Sequence, residues 1–297
     1  MYNHYLSLLH GLLQLYDEGE ARAIAFLVME EAFGVGRMEI LLQSGFSESK
    51  SREIHVDFES RFREIKERLA HGEPVQYVLE KAPFCGKSFK VNSDVLIPRP
   101  ETEELVTLCL NRMKQKENTK SLETLQALDV GTGSGCIAVC LKLALPHWHV
   151  EAWDISLSAL DVAEENAQTL GADVLFRQVD VLKATPGEGS FDLIVSNPPY
   201  VCQKERQMMN RNVTDFEPEI ALFVPDDSPL IFYSALAKLG KGCLNDGGRM
   251  VLETNRAHAY ETAELFKTQG FQETEVRKDS FGNPRIVEAL WRKEKFS

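Results

Sequence analysis

The tetrapeptide Asn197-Pro198-Pro199-Tyr200 joins an amide side chain, two residues without backbone donors and a phenol, at the exit of the apolar run Phe191 to Ser196. Two successive prolines fix φ and remove two N–H groups, so the backbone is stiff and presents its carbonyls as acceptors. Acceptors so placed suit a planar NH₂ group, whose lone pair is delocalised into a carbonyl or a ring and is a poor nucleophile. If the Asn197 side-chain carbonyl and the Pro198 backbone carbonyl each accept one N–H, the nitrogen is held with its lone pair aimed at an electrophile. Positive charge developing on it is stabilised at the same time. Tyr200 can pack against the flat group. A plain turn of turn-forming residues is the alternative for any Asn-Pro pair.

A second cluster supplies a place for the electrophile. Another apolar run ends in Asp129-Val130-Gly131-Thr132-Gly133-Ser134-Gly135, and helical periodicity in Ile137, Ala138 and Leu141 follows at once. Glycines at such a turn let the backbone approach a ligand closely, and the helix N-terminus behind them offers free N–H groups. Asp154 closes the next strand at about 20 residues' remove, where a carboxylate can accept hydrogen bonds from both hydroxyls of a ribose. Cys136 stands where a dinucleotide motif would place its last glycine. The G-x-G-x-G spacing therefore leans toward S-adenosylmethionine. Its sulfonium is an activated methyl donor that needs no strong general base, in keeping with a tetrapeptide that has no histidine near it.

Four further carboxylates, a pair of serines and an arginine have two readings or one. Asp129 either caps an ordinary strand end or orients the cofactor's charged end through the loop. Asp180 closes a third strand, where an acid could meet the exocyclic amine of adenine with Val181 as an apolar wall, although strand-end aspartates are common. Ser156 and Ser158 read as caps of the helix that follows Asp154, with Asp161 near its first turn. Glu103 could pair with Arg99 at a helix start that Pro100 pre-sets, or both could form a wall of the site.

The elements that must carry these residues are legible from periodicity. Residues 1–75 read as helices only: Tyr5, Leu8, Leu9, Leu12 and Leu13, then Ile24, Leu27, Val28 and Ala32, recur at helical spacing, with Gly34 and Gly36 as a stop. Ser47 to Ser51 reads as a polar link and helix start, and Ile54 to Leu69 as an amphipathic helix with Phe58, Phe62, Ile65 and Leu69 on one stripe. Residues 76–100 form a linker in which Phe84, Phe89, Val91 and Val95 suggest a short hairpin. From 101 to 297, a helix to about Lys116 is followed by alternating strands and helices, the mark of a parallel α/β sheet. Strands are expected over Leu125 to Val130, His149 to Asp154, Val174 to Val179, Phe191 to Ser196 and Arg249 to Glu253, with two more near Phe271 to Arg277 and Pro284 to Trp291. The loop from Cys202 to Val213, with Arg206, Met208, Met209 and Arg211, is expected to be mobile, and either closes over the substrate or is simply exposed.

Composition narrows the function classes. With 297 residues the chain has the length of about two domains. An apolar fraction of 43% with 26% charged residues fits a globular core rather than a disordered or fibrous chain. A net charge of −12 disfavours DNA as a partner, since nucleic acid is held largely by Lys and Arg against phosphate. The start lacks the basic region and cleavage site of a secretory signal peptide, which places the chain in the cytoplasm. No apolar run approaches the roughly 20 residues of a membrane span. The six cysteines contain no C-x-x-C pair and no familiar zinc spacing, so buried free thiols are expected and no metal site.

The tetrapeptide matches the N-P-P-Y class of methyltransferases that act on adenine, cytosine or glutamine nitrogens. Val95-Leu96-Ile97-Pro98-Arg99-Pro100-Glu101-Thr102-Glu103-Glu104-Leu105-Val106 further resembles the L-I-P-R-P-x-T-E signature of the HemK/PrmC family, the peptide-chain release factor glutamine-N5 methyltransferases. Gly72-Glu73-Pro74 with Tyr77, Phe84 and Phe89, then Phe216-Glu217-Pro218 with Ala221-Leu222, and Asp279, Gly282 and Arg285 are similar to that family's pattern too. The resemblance implies a Rossmann-like α/β core with a small all-helical N-terminal domain that helps dock the substrate. It implies methylation of the glutamine in the Gly-Gly-Gln tripeptide of class 1 release factors, with S-adenosylmethionine as cofactor. Gly131, Thr132, Gly133, Ser134, Gly135 and Asp154 would hold the cofactor, with Asp180, Val181 and Asn197 beside it. Asn197, Pro198, Pro199 and Tyr200 would hold the glutamine, with Asn197, Pro198 and Tyr200 catalytic. Two departures, Val224 to Leu230 in place of a glycine-rich stretch and Glu253-Thr254-Asn255 in place of Glu-Ile-Gly, bear on the substrate side. A glutamine of a large-subunit ribosomal protein and an adenine-N6 of nucleic acid remain alternative substrates.

Overall fold

A computed structural model describes residues 1–42, 55–117, 125–185, 187 and 191–293; the expected polar link at Ser47 to Ser51 lies outside them. Contacts divide the chain into two units, Met1–Lys81 with Asn210–Phe216, and Ala82–Met209 with Glu217–Ser297.

In the first unit the described helices are α1 (Tyr2–Leu12), α2 (Glu18–Phe33), α3 (Arg37–Leu41), α4 (His55–Ala70) and the single turn α5 (Val75–Val78). Asp17 caps α2 by accepting the Glu20 N–H, and Gly34 ends it in the left-handed conformation that a β-carbon would oppose. Tyr5, Leu8 and Leu12 of α1, Ile24 and Val28 of α2, and the Phe58, Phe62, Ile65 and Leu69 stripe of α4 meet in one core. Leu13 and Leu27, which share the helical spacing, face solvent instead.

A two-stranded ribbon, β1 (Lys81–Phe84) and β2 (Lys87–Lys90), lies in the second unit but for its first residue, Lys81. Its turn holds Cys85 at φ +47° and Gly86 at φ +70°, the pair of positive angles that a tight hairpin demands. There follow α6 (Pro100–Glu117), β3 (Gln126–Val130), α7 (Cys136–Ala144), β4 (His149–Asp154), α8 (Leu157–Leu170), β5 (Leu175–Gln178), β6 (Phe191–Ser196) and β7 (Val201–Cys202). After a 3₁₀ helix over Gln203–Met208 come α9 (Arg211–Thr214, part of the first unit), α10 (Glu219–Leu222), β8 (Phe223–Val224), α11 (Ile231–Cys243), β9 (Leu244–Glu253), α12 (Ala259–Thr268), β10 (Gln272–Lys278) and β11 (Pro284–Leu290). The segment expected as a loop after Cys202 thus carries short helices, and Met208 within it is 80% exposed.

Seven strands form the main sheet in the order β10-β11-β9-β6-β3-β4-β5. The five strands from β9 to β5 run parallel, and β11 lies antiparallel between β9 and β10. Side chains alternate across it as the pleat requires. Ala127, Leu193, Val195 and Val251 face the cluster made by α6, α7 and α8. Leu128, Val130, Ile194, Met250 and Leu252 face α11 and α12. Helices on both faces explain why all six residues of β6 are buried. Strand β3 pairs with β4 on one side and β6 on the other. The chain reverses its winding there, so a crevice opens beyond the carboxyl ends of β3 and β6. All six cysteines are free thiols, five of them buried.

Candidate active site

The glycine loop leaves β3 into this crevice. Gly131, Gly133 and Gly135 adopt φ of +73°, +54° and +79°, a left-handed path closed to most residues. Gly131 and Thr132 donate their N–H groups to the Trp153 carbonyl at 2.8 and 3.0 Å, and Gly133 donates to Asp154 Oδ2 at 2.9 Å. Asp129 Oδ2 accepts from the Thr132 hydroxyl at 2.7 Å and from the Ala138 N–H at 3.2 Å. One buried carboxylate therefore ties both the loop and the first turn of α7, whose Gly135 cap has no side chain to do so. Burial pushes the Asp129 carboxyl up to about 7, against the opposing pull of Thr132 and the Ala138 amide. Asn166 on α8 completes the support: its amide donates to the Ser134 and Lys90 carbonyls, both at 2.9 Å, and accepts from the Lys90 N–H at 2.6 Å.

Asp154 ends β4 with its other oxygen taking the Ser156 N–H at 3.0 Å, while Ser156 Oγ caps α8 at Ala159. Ser158 bonds to Ser156 Oγ and is not itself the cap. Asp180 accepts from Leu182 N–H at 3.0 Å and pairs with Lys183, which together hold its carboxyl below the usual range.

At the end of β6, Ser196 anchors the strand by donating to the Val130 carbonyl at 2.6 Å. Asn197 Nδ2 donates to Thr102 Oγ1 at 3.2 Å, and Thr102 donates to Glu253 Oε2 at 2.7 Å. Tyr200 donates to the other oxygen, Glu253 Oε1, at 3.2 Å. Glu253 is 1% exposed. Burial pushes its carboxyl up, opposed by Thr102, Arg285 and Tyr200. Burial and the neighbouring Glu253 push the Tyr200 phenol up as well. Of the two readings of Arg99 and Glu103, their pairing with each other is not what is observed. Arg99 precedes the first residue of α6, so it is off the helix face and binds Glu217 Oε1 at 2.5 Å, while Glu103 accepts the Cys85 N–H of the hairpin turn at 2.8 Å.

A cavity of about 250 Å³ lies over this arrangement. Gly131, Thr132, Gly133, Ser134, Asp154, Asp180, Val181, Asn197, Pro198 and Pro199 line it, together with Arg99 and Thr102. Gly135 and Tyr200 are set back from it. A β-carbon on Gly135 would come within 3.0 Å of Ala163 Cβ, so this glycine serves packing against α8. Tyr200 is turned toward Glu253 and packs with the cluster beneath α11. Asn166 lies in no motif, and the partners of Glu217 and Glu253, which stand in the Phe216-Glu217-Pro218 and Glu253-Thr254-Asn255 stretches, are not marked by local spacing because the pairing is long-range.

Comparison with known proteins bears on these residues as a set. Residues 8–79 match the family model described as "PrmC N-terminal domain" and residues 107–215 that described as "Methyltransferase small domain". A release factor glutamine methyltransferase of Bacteroides thetaiotaomicron is 42% identical over 282 residues, 94% of this chain and 96% of the relative. The chain belongs to the release factor glutamine methyltransferase family. Relatives of that name in Flavobacterium psychrophilum (35% identical, 98% of this chain and 99% of the relative) and Streptococcus pneumoniae (40%, 80% and 82%) extend the match.

A release factor glutamine methyltransferase uses S-adenosylmethionine, and the crevice fits that molecule. A β-carbon built on Gly131 or Gly133 would meet nothing within 4 Å, so these two glycines border open space that a ligand can fill. The Asp154 oxygens each retain acceptor capacity beyond one backbone N–H. Val181 and Ile155 add apolar surface to the lining that Asp154 and Asp180 share.

Proposed function

We propose that this protein methylates the side-chain amide nitrogen of the glutamine in the Gly-Gly-Gln tripeptide of class 1 peptide-chain release factors, in the cytoplasm. The observation that carries the reading is that the glycine loop, Asp154 and the Asn197-Pro198-Pro199 segment line one cavity at the switch point of the sheet. Gly131 to Ser134 and Asp154 hold the cofactor, with Asp180 and Val181 beside its base. When bound, S-adenosylmethionine supplies an electrophilic methyl group.

The protein's own part is to grip a weak nucleophile. Asn197 Oδ1 and the Pro198 carbonyl take the two hydrogens of the glutamine NH₂, which fixes the nitrogen's lone pair in one direction. As the nitrogen gains positive charge, both acceptors bind their hydrogens more strongly than in the ground state, which is the differential interaction that lowers a barrier. Pro199 closes the apolar side of the groove. Tyr200 acts from behind, through Glu253. We assign the N-terminal helical unit to docking of the protein substrate, with residues 76–100 as the linker and 101–297 as the catalytic domain.

Labelled S-adenosylmethionine supplied with, separately, a class 1 release factor, a ribosomal protein mixture and DNA tests the reading. Label on the release factor is expected. Label only on DNA or only on a ribosomal protein would replace it.

A further inference from the structure

The hydrogen bonds behind the tetrapeptide run in one direction. A threonine hydroxyl has a single proton to give, and once that proton is donated its oxygen can only accept. Thr102 places that proton on Glu253 Oε2 at 2.7 Å, so its oxygen can meet Asn197 only as an acceptor. The group of Asn197 that faces Thr102 must then be the NH₂, as found at 3.2 Å. By elimination Asn197 Oδ1 is the end free to face the cavity that Asn197 lines.

We infer that Glu253 and Thr102 are positioning residues for methyl transfer, setting the orientation of the Asn197 amide so that its carbonyl, not its NH₂, meets the acceptor nitrogen. The inference rests on the functional reading above and adds to it the device that makes Asn197 an acceptor. An asparagine alone has no such preference, because its two ends are nearly isosteric. A reversed amide would oppose its own NH₂ to the substrate's NH₂. The device is held on every side: Tyr200 gives its proton to Glu253 Oε1 at 3.2 Å, and Tyr233 gives its own to the Glu253 backbone carbonyl at 3.1 Å. It also gives a role to the glutamate of Glu253-Thr254-Asn255, with Asn255 donating to the Tyr200 carbonyl at 3.3 Å.

Three variants separate orientation from simple packing. Thr102→Val keeps shape and loses the acceptor; Thr102→Ser keeps the hydroxyl; Glu253→Gln keeps shape but can donate to Thr102 and so release the Thr102 proton toward Asn197. Thr102→Val and Glu253→Gln are expected to lose about tenfold or more in kcat on a release factor, with the Kd for S-adenosylhomocysteine within about twofold of wild type and Thr102→Ser within about threefold in kcat. A second readout needs no substrate. In protein labelled with ¹⁵N-asparagine, with the Asn197 side-chain NH₂ signals assigned through Asn197→Asp, those protons should exchange slowly with solvent in wild type and Thr102→Ser and quickly in Thr102→Val.

Turnover of Thr102→Val or Glu253→Gln within about twofold of wild type would overturn the inference. So would Asn197 protons that exchange as fast in wild type as in Thr102→Val, or a Thr102→Ser enzyme as impaired as Thr102→Val. If Glu253→Gln does not fold, the two Thr102 variants decide. A wild-type enzyme inactive on release factors fails the functional reading alone, and the exchange experiment still judges the orientation.

Discussion

The Arg99 guanidinium lies 2.5 Å from Glu217 Oε1, and the second oxygen of that carboxylate accepts the Ile97 backbone N–H at 3.2 Å. Two positions far apart in the chain thus fix the segment that leads into α6 and delivers Thr102. The Glu217 side chain is 1% exposed and that of Arg99 32%. Glu217→Ala should cost about 2 kcal/mol, below the ~3–5 kcal/mol of a fully buried pair because Arg99 keeps part of its hydration. Glu217→Gln, which can still accept from Ile97, should cost less. Urea midpoints compared at constant m-value measure both.

Asn166 joins β2, the glycine loop and α8 through three hydrogen bonds. Asn166→Asp cannot donate to the Lys90 and Ser134 carbonyls and sets a carboxylate against them. A loss of about 2–3 kcal/mol is expected, together with weaker cofactor binding, since the loop loses a tether at Ser134. Thermal unfolding and calorimetric titration with S-adenosylhomocysteine measure the two effects, and an unchanged titration would detach Asn166 from the loop.

Gly131→Ala and Gly135→Ala should separate binding from packing. Both place a side chain at positive φ, at a cost of roughly 1–2 kcal/mol. Only Gly135 meets a neighbour, Ala163 Cβ at 3.0 Å, so Gly135→Ala should unfold at the lower temperature. Gly131→Ala projects into open space bordering the cavity, and its larger loss should be in affinity for S-adenosylhomocysteine.

The Asp129 carboxyl, raised to about 7 by burial, makes stability depend on pH in a defined direction. A folded-state value above the unfolded one means the native protein binds more protons in between. The contribution of Asp129 is therefore full below the ordinary carboxylate range and is lost as pH rises through about 7. Asp129→Asn should flatten the fall in stability between about pH 4 and pH 7 relative to wild type. Melting curves across that range would contradict the assignment if the slopes were equal.

The strands that carry the site could be read directly. The runs ending at Val130, Asp154 and Ser196 are short, carry apolar residues at alternate or successive positions and stop at turn-forming segments, so pattern and structure agree to within a residue. β9 was legible only from Arg249. Its earlier part contains Asn245, Asp246, Gly247 and Gly248, residue types that favour turns over strands, yet the strand begins at Leu244 opposite Phe191 and resumes register at Arg249 opposite Leu193. The Cys85-Gly86 turn was obscured because cysteine seldom takes positive φ. The glycine loop and tetrapeptide are local in sequence and could be found by spacing. The side-chain pairings of Glu217, Asn166 and Glu253 reach partners 32 to 151 positions away, and spacing in a single sequence does not show such pairs.

The most direct test of the account is mass spectrometry of a class 1 release factor after incubation with S-adenosylmethionine and either wild-type protein or Asn197→Ala. One added methyl group on the glutamine of Gly-Gly-Gln is expected with wild type. None is expected with Asn197→Ala, whose binding of S-adenosylhomocysteine should be largely retained. An unmodified glutamine in the wild-type reaction, or equal methylation by Asn197→Ala, would contradict it.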